Sequence, residues 1–245
     1  MTTTIAQSKI SVIIPCYNAR SYIGEAISSI FAQNHSNIEL IVIDDGSTDD
    51  SASVIKAFGH VIYRQQENQG ISAARNAGIA IATGELLAFL DADDLWPAES
   101  LALRLRMMQD DPKVDAAYGA TEQFISPDLD PDTARTIHCP AQPIVARIAG
   151  ALLIKRDAMT NTGPFNGSFQ VGETMEWVAR SEAAGVKYAS TDAVVLRRRI
   201  HGNNTVLNQR HQQSDYLKAL HAAIKRRRSA SKTGAPAAVR EGTGR

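Results

Sequence analysis

Leu86-Leu87-Ala88-Phe89-Leu90-Asp91-Ala92-Asp93-Asp94 sets an unbroken apolar run directly against an acidic cluster. Five consecutive apolar residues without polar alternation describe a strand buried on both faces, the habit of strands in a helix-covered parallel sheet. Carboxylates leaving the end of such a strand can hold a hard divalent cation, and a bound cation can in turn hold a diphosphate. The same residues are also ordinary material for capping a following helix.

Two earlier runs have the same form. Ile10-Ser11-Val12-Ile13-Ile14 is stopped by Pro15, and the run over 38–43 is stopped by Asp44-Asp45-Gly46. Between them Tyr22, Ile23, Ala26, Ile27, Ile30 and Phe31 recur at helical spacing, with Asn18 or Ser21 available as the N-cap. The pattern predicts a strand-helix-strand unit, continued by a helix over 51–58, a strand over 61–63, a helix over 71–82 and the strand over 86–90. A further helix is expected from Pro97, with Leu101, Leu105 and Met108 on one face. Strands alternating with helices through short connections imply an α/β domain with a mainly parallel sheet covered by helices on both faces.

The later half is less regular. Residues 126–143 are rich in Pro and Asp and read as a long loop. A helix over 173–184, strands over 187–189 and 194–200, and an amphipathic C-terminal helix over 209–226 complete the expectation. With no internal repeat, residues 1–224 read as one domain and 225–245 as a basic, disordered tail.

Composition narrows the classes. A chain of 245 residues with 44% hydrophobic and 21% charged residues has the balance of an ordinary globular protein. No apolar stretch approaches the roughly 20 residues that span a bilayer, and the start lacks a signal-peptide pattern, so a cytoplasmic location is expected. Cys16 and Cys139 are too few for a disulfide framework and read as reduced, structural thiols. From Lys225 onward there are seven Lys or Arg and one Glu, which leaves 19 basic against 25 acidic residues before it, net −6. That balance argues against nucleic acid as a partner, while the tail offers a peripheral contact with anionic lipid at the inner membrane face.

Three polar clusters fall at strand ends: Pro15-Cys16-Tyr17-Asn18, Asp44-Asp45-Gly46-Ser47 and Asp91-Ala92-Asp93-Asp94. Singly, each is ordinary turn or cap chemistry. A parallel sheet gathers its carboxyl ends on one edge, where ligands of open α/β folds bind, so together they predict one convergent site. Tyr17 offers an apolar face and Asp45 an acceptor for the ring N–H of a nucleotide base. Arg75, on the helix after Gly70, is a candidate for base or phosphate contact. Neither Gly-x-Gly-x-x-Gly nor a Gly-Lys-Ser/Thr phosphate loop accompanies these clusters, which leaves the phosphate work to a metal.

The ordered set Val12-Ile13-Ile14-Pro15-Cys16-Tyr17-Asn18, Ile43-Asp44-Asp45-Gly46-Ser47-Thr48-Asp49, Ala74-Arg75-Asn76 and Phe89-Leu90-Asp91-Ala92-Asp93-Asp94 resembles the family 2 glycosyltransferases of GT-A fold. The resemblance spans about residues 9 to 120. It implies an inverting transfer from a nucleotide-diphospho-sugar, a UDP-sugar favoured, to the hydroxyl of a glycan, lipid-linked or other acceptor. It further implies that Pro15, Tyr17, Asn18, Asp45 and Arg75 line the nucleotide site, and that Asp91, Asp93 and Asp94 bind the diphosphate through Mn²⁺ or Mg²⁺. Arg199-Ile200-His201 resembles a segment near the family's diphosphate site and adds His201 to the metal candidates.

One position departs from the pattern. Members usually carry an acidic pair at the start of a helix, whereas this chain reads Gly172-Glu173-Thr174-Met175-Glu176-Trp177. The general base is therefore assigned to Glu173, with Glu176 in reserve. Three alternatives stand beside this expectation, one being a nucleotidyltransferase of similar fold, which would show a Gly-rich, Arg/Lys-bearing first loop unlike Pro15 to Arg20. A phosphatase with a nucleophilic Asp-x-Asp would carry it on its first strand rather than after the fourth. A nucleotide-sugar or carbohydrate-binding protein that has lost its base would explain Thr174.

Overall fold

The computed structural model describes residues 5–204, apart from 138, 170 and 203. Along the chain run β1 (Ile10–Cys16), α1 (Ile23–Phe31), β2 (Ile38–Asp44), α2 (Ser51–Lys56), β3 (Val61–Gln65), α3 (Ile71–Ile81), β4 (Leu86–Phe89) and α4 (Ser100–Asp110). There follow β5 (Ala116–Ile125), α5 (Pro131–Thr136), β6 (Ile144–Val145), β7 (Leu153–Lys155), α6 (Arg156–Thr162), α7 (Glu173–Ala183) and β8 (Tyr188–Ile200). The helix expected over 209–226 and the tail over 225–245 lie outside the described residues.

The strands order as β3-β2-β1-β4-β7-β5-β6, with β8 also paired to β5. The pairs among β3, β2, β1 and β4 are all parallel, as is β5 with β8, whereas β7 joins β4 and β5 antiparallel and β6 joins β5 antiparallel. Cys16, Asp44 and Asp91 therefore leave their strands at one edge of the sheet. Pro15 ends the β1–β4 ladder at little cost. Cys16 turns its carbonyl toward β2, so the amide that Pro15 lacks would face β4, whose register with β1 already stops at Ile13–Phe89.

Each strand is buried on both sides because successive residues point to opposite faces. Val12, Ile14, Leu40, Val42 and Ala88 pack with Ile23, Ala26, Ile27 and Ile30 of α1 and with Leu101, Leu105 and Met108 of α4. On the other face Ile13, Ile41, Ile43, Leu87 and Phe89 pack with Ala74 of α3, Met159 of α6 and Trp177 of α7. Helices thus cover both faces. α3 lies especially close to β1: a Cβ at Gly78 would sit 2.4 Å from Ile13 Cγ2, so only glycine admits this approach. That packing seats Arg75, one turn earlier on α3, at the carboxyl edge.

Several boundaries differ from expectation. α4 begins at Ser100 because Pro97 is used in a turn that accepts the Ser100 amide. The segment expected as a loop contains α5, whose Asp130 carboxylate accepts from the Asp132 and Thr133 amides ahead of Pro131 in the first turn. The two short strands expected after α7 are one, β8, with register shifts between Tyr118 and Thr121 that relax its pairing with β5. Strands β5 and β7 and helix α6 were outside the sequence expectation. Among the described residues no helix is long and apolar enough to cross a membrane.

Candidate active site

The loops after β1 and β2 are stitched together by short polar side chains. Asn18 adopts a left-handed φ of 48°, its amide donates to Ser47 Oγ, and its Oδ1 accepts from the Thr48 amide at 2.8 Å. The Asp45 amide donates to the Cys16 carbonyl at 2.8 Å, which brings Asp45 beside Pro15 and Tyr17. Tyr17 is 52% exposed and presents its ring at this edge. Burial, with the charge of Asp44, pushes the Cys16 thiol up to about 12, so it stays protonated.

Asp45 is engaged more fully than its sequence role implied. Its Oδ1 accepts from Gln66 Nε2 at 2.7 Å and the Gln69 amide at 3.0 Å, and its Oδ2 accepts from the Gly70 amide at 2.8 Å. The carboxylate thereby fixes the chain as it enters α3. Asp44 is likewise held, by the Ser47 amide and the Tyr63 hydroxyl.

The acidic cluster sits against the end of β8. Leu95 and Arg197 exchange two backbone hydrogen bonds, so Arg199, His201 and Asn204 arrive beside Asp93 and Asp94. Asp93 Oδ2 lies 2.9 Å from His201 Nε2 and accepts from Asn204 Nδ2 at 3.2 Å. Asp94 is buried, and its Oδ1 accepts the Arg199 amide at 2.9 Å. Burial, then the charges of Asp93 and Asp91, push its carboxyl well above the usual range. Arg199 is a residue whose part the sequence reading missed. Its guanidinium donates to the Asp93 carbonyl and to Glu25 Oε2 and lies over the rings of Tyr22 and Phe124. It stood in the same quoted motif as His201, so the signal was present.

Arg75 joins the two halves of the site. It is 2% exposed, and it donates from Nη1 to Glu173 Oε1 at 2.6 Å and from Nη2 to Asp91 Oδ1 at 2.7 Å. Among the described residues its Nε is buried without a hydrogen-bond partner. Asn76, the next residue on α3, exchanges hydrogen bonds with the Phe165 backbone and so docks the segment leading into α7. α7 starts after Gly172, whose φ of 86° suits glycine and turns Glu173 toward Arg75.

The two candidate bases are placed differently. Glu173 Oε1 also accepts from Thr174 Oγ1 at 3.0 Å. Glu176, 1% exposed, accepts from Arg180 Nε on both oxygens, and Arg180 in turn donates to the Thr162 and Pro164 carbonyls. Glu176 thus helps anchor α7 to the preceding loop, while Glu173 faces the acidic cluster through Arg75.

Among the described residues no three His, Cys, Asp or Glu side chains form a metal cage by themselves. The donors at hand are carboxylates and one imidazole, crowded with like charge at Asp91, Asp93 and Asp94. That chemistry suits a hard divalent cation which takes a few protein ligands and completes its shell with phosphate oxygens and water.

A family model described as Glycosyl transferase family 2 matches residues 11–170. An uncharacterised glycosyltransferase of Nostoc sp. is 48% identical over 106 residues, covering 41% of this chain and 33% of that protein. The putative teichuronic acid biosynthesis glycosyltransferase TuaG of Bacillus subtilis is 38% identical over 107 residues, covering 41% and 42%. The chain thus spans less than half the length of these relatives. Among solved structures, S. aureus TarS in complex with UDP-GlcNAc superposes with a TM-score of 0.71 at 18% identity, covering 89% of this chain and 66% of that one. The mannosyltransferase PcManGT of Pyrobaculum calidifontis, in complex with GDP-Man and Mn²⁺, gives 0.62 at 20% identity, covering 94% and 77%. These likenesses establish the fold.

Proposed function

The chain belongs to glycosyl transferase family 2, and we propose that it transfers a sugar from a nucleotide-diphospho-sugar to an acceptor hydroxyl with inversion. The observation that carries this reading is the arginine-bridged pair of carboxylates, Asp91 and Glu173, at the edge where parallel strands end. Asp91 belongs to the cluster that would anchor the diphosphate, and Glu173 stands on the other side of Arg75 as the base.

Tyr17 offers a ring face for the nucleotide base, and the loop fixed by Asp45, Asn18 and Pro15 shapes the pocket around it. A UDP-sugar is the favoured donor. Asp93 and His201, with Asp91 and the inward Asp94, are the residues that would hold Mn²⁺ or Mg²⁺. When bound, such a cation offsets the negative charge that builds on the departing diphosphate. Glu173 takes the proton of the acceptor hydroxyl as its oxygen bonds to the anomeric carbon. The bond from that carbon to the diphosphate breaks, and its electron pair leaves with the nucleoside diphosphate. A single displacement of this kind inverts the centre and needs no covalent sugar-enzyme intermediate.

Thr174, in place of the second acid, favours a second reading, a binding protein that keeps the donor but does not turn it over. One screen separates the two. UDP-, GDP- and dTDP-sugars are offered with Mn²⁺, and both the shift in melting temperature and nucleotide release are followed. Stabilisation with release supports transfer, stabilisation without release supports binding alone, and no shift with any donor overturns both.

A further inference from the structure

We propose that Arg75 and Thr174 act as positioning residues that clamp one oxygen of Glu173 and leave the other to receive the acceptor's proton. The proposal rests on Glu173 being the base and specifies how it is held. Both donors converge on the same atom, Oε1, from Arg75 Nη1 at 2.6 Å and Thr174 Oγ1 at 3.0 Å. Among the described residues Oε2 accepts no hydrogen bond, and it is not one of the buried atoms sealed from solvent. Two donors on one oxygen fix the carboxylate plane and direct the second oxygen's lone pairs outward, which is what a base acting on a bound hydroxyl needs.

Thr174 then has a positive reason for standing where the family resemblance leads one to expect an acid. A second carboxylate at 174 would set like charge against Glu173 and compete for Arg75, whose terminal nitrogens already serve Asp91 and Glu173. A hydroxyl donates to Glu173 without adding charge. Arg75 also links the base to Asp91, so the diphosphate anchor and the proton acceptor are referenced to one buried, planar group. Its Nε, without a partner among the described residues, is the cost of that placement beside the Phe165 ring.

Thr174→Val keeps the shape of the side chain and removes only the donor, while Thr174→Ser restores it. We expect Thr174→Val to lower the turnover of the best donor in the panel about tenfold, with Thr174→Ser within about twofold of the parent. Affinity for UDP with Mn²⁺ should be unchanged in both. Arg75→Lys, which cannot bridge two carboxylates with a planar fork, should lower turnover about 100-fold, measured on protein whose melting shows it folded. Turnover by Thr174→Val within twofold of the parent, alongside an inactive Glu173→Gln, overturns the clamp and spares the base. Full turnover by Glu173→Gln overturns the base and the clamp with it, as does a parent protein that releases no nucleotide from any donor.

Discussion

Two buried carboxylates at opposite ends of the central sheet, Glu39 and Asp94, are held in opposite ways. At the amino end Glu39 sits at the start of β2 and accepts from Lys9 Nζ, Ser11 Oγ, Thr83 Oγ1 and the Thr83 amide. Burial works against its charge, but these donors outweigh it and hold the carboxyl at about 2. At the carboxyl end Asp91, Asp93 and Asp94 crowd one another, and burial with like charge pushes Asp94 the other way. A carboxylate surrounded by donors ties strands together. Carboxylates crowded with like charge repel one another, a strain that a bound cation would relieve.

The contrast can be broken, and the largest test lies at the functional end. Glu173→Gln should lower turnover about 10³-fold, equivalent to about 4 kcal/mol of transition-state stabilisation, while UDP binding with Mn²⁺ stays near the parent value and melting falls only by the weakened pairing with Arg75. A melting loss as large as that of a core variant would place Glu173 among the structural carboxylates instead.

Next in size is Glu39→Gln. It replaces an acceptor of four hydrogen bonds by a group that must donate with one end, and should cost about 3 kcal/mol, or roughly 6–12 °C in melting temperature. Turnover of the folded fraction should be untouched. The same network has a pH signature: because the folded carboxyl lies below its ordinary value of 4.5, the stabilisation is complete above that pH. It is lost as pH falls from 4.5 towards 2, again by about 3 kcal/mol. Acid melting curves of the parent and Glu39→Gln should therefore converge in that window, and curves that stay parallel would remove the assignment.

The smallest effect has the opposite sign. Asp93→Asn takes one charge from the crowded cluster while keeping an acceptor for Asn204, so stability should rise by about 0.5–1 kcal/mol as Mn²⁺-dependent UDP binding is lost. A destabilised variant would mean that the acidic cluster is satisfied in the manner of Glu39.

Much of the first half was legible because its signals are local. The apolar runs of β1, β2 and β4 and the spacing of α1 follow from burial on two faces, and the acidic and asparagine-bearing turns mark where the strands stop. The Ala-rich β5 has no comparable signature, and it is a strand because β7 and β8 lie beside it. The helix α5 had a legible start in Asp130-Pro131 but only six residues, too short for periodicity to register. Asp45 stands out in the sequence as an acidic residue directly after an apolar run. That its oxygens tie down Gln66, Gln69 and Gly70 depends on how the loop after β3 returns.

Sequence by itself therefore determined the alternation of strands and helices, the edge where polar residues gather and the family to which the chain belongs. Only the tertiary structure decided which partners Arg75 takes. Residue type made it a candidate for phosphate or base, but its partners are Asp91, 16 residues away, and Glu173, 98 residues away. A buried guanidinium takes its role from whichever carboxylates the fold brings within hydrogen-bond reach, and that juxtaposition is set by the packing of α3 and α7 on one face of the sheet.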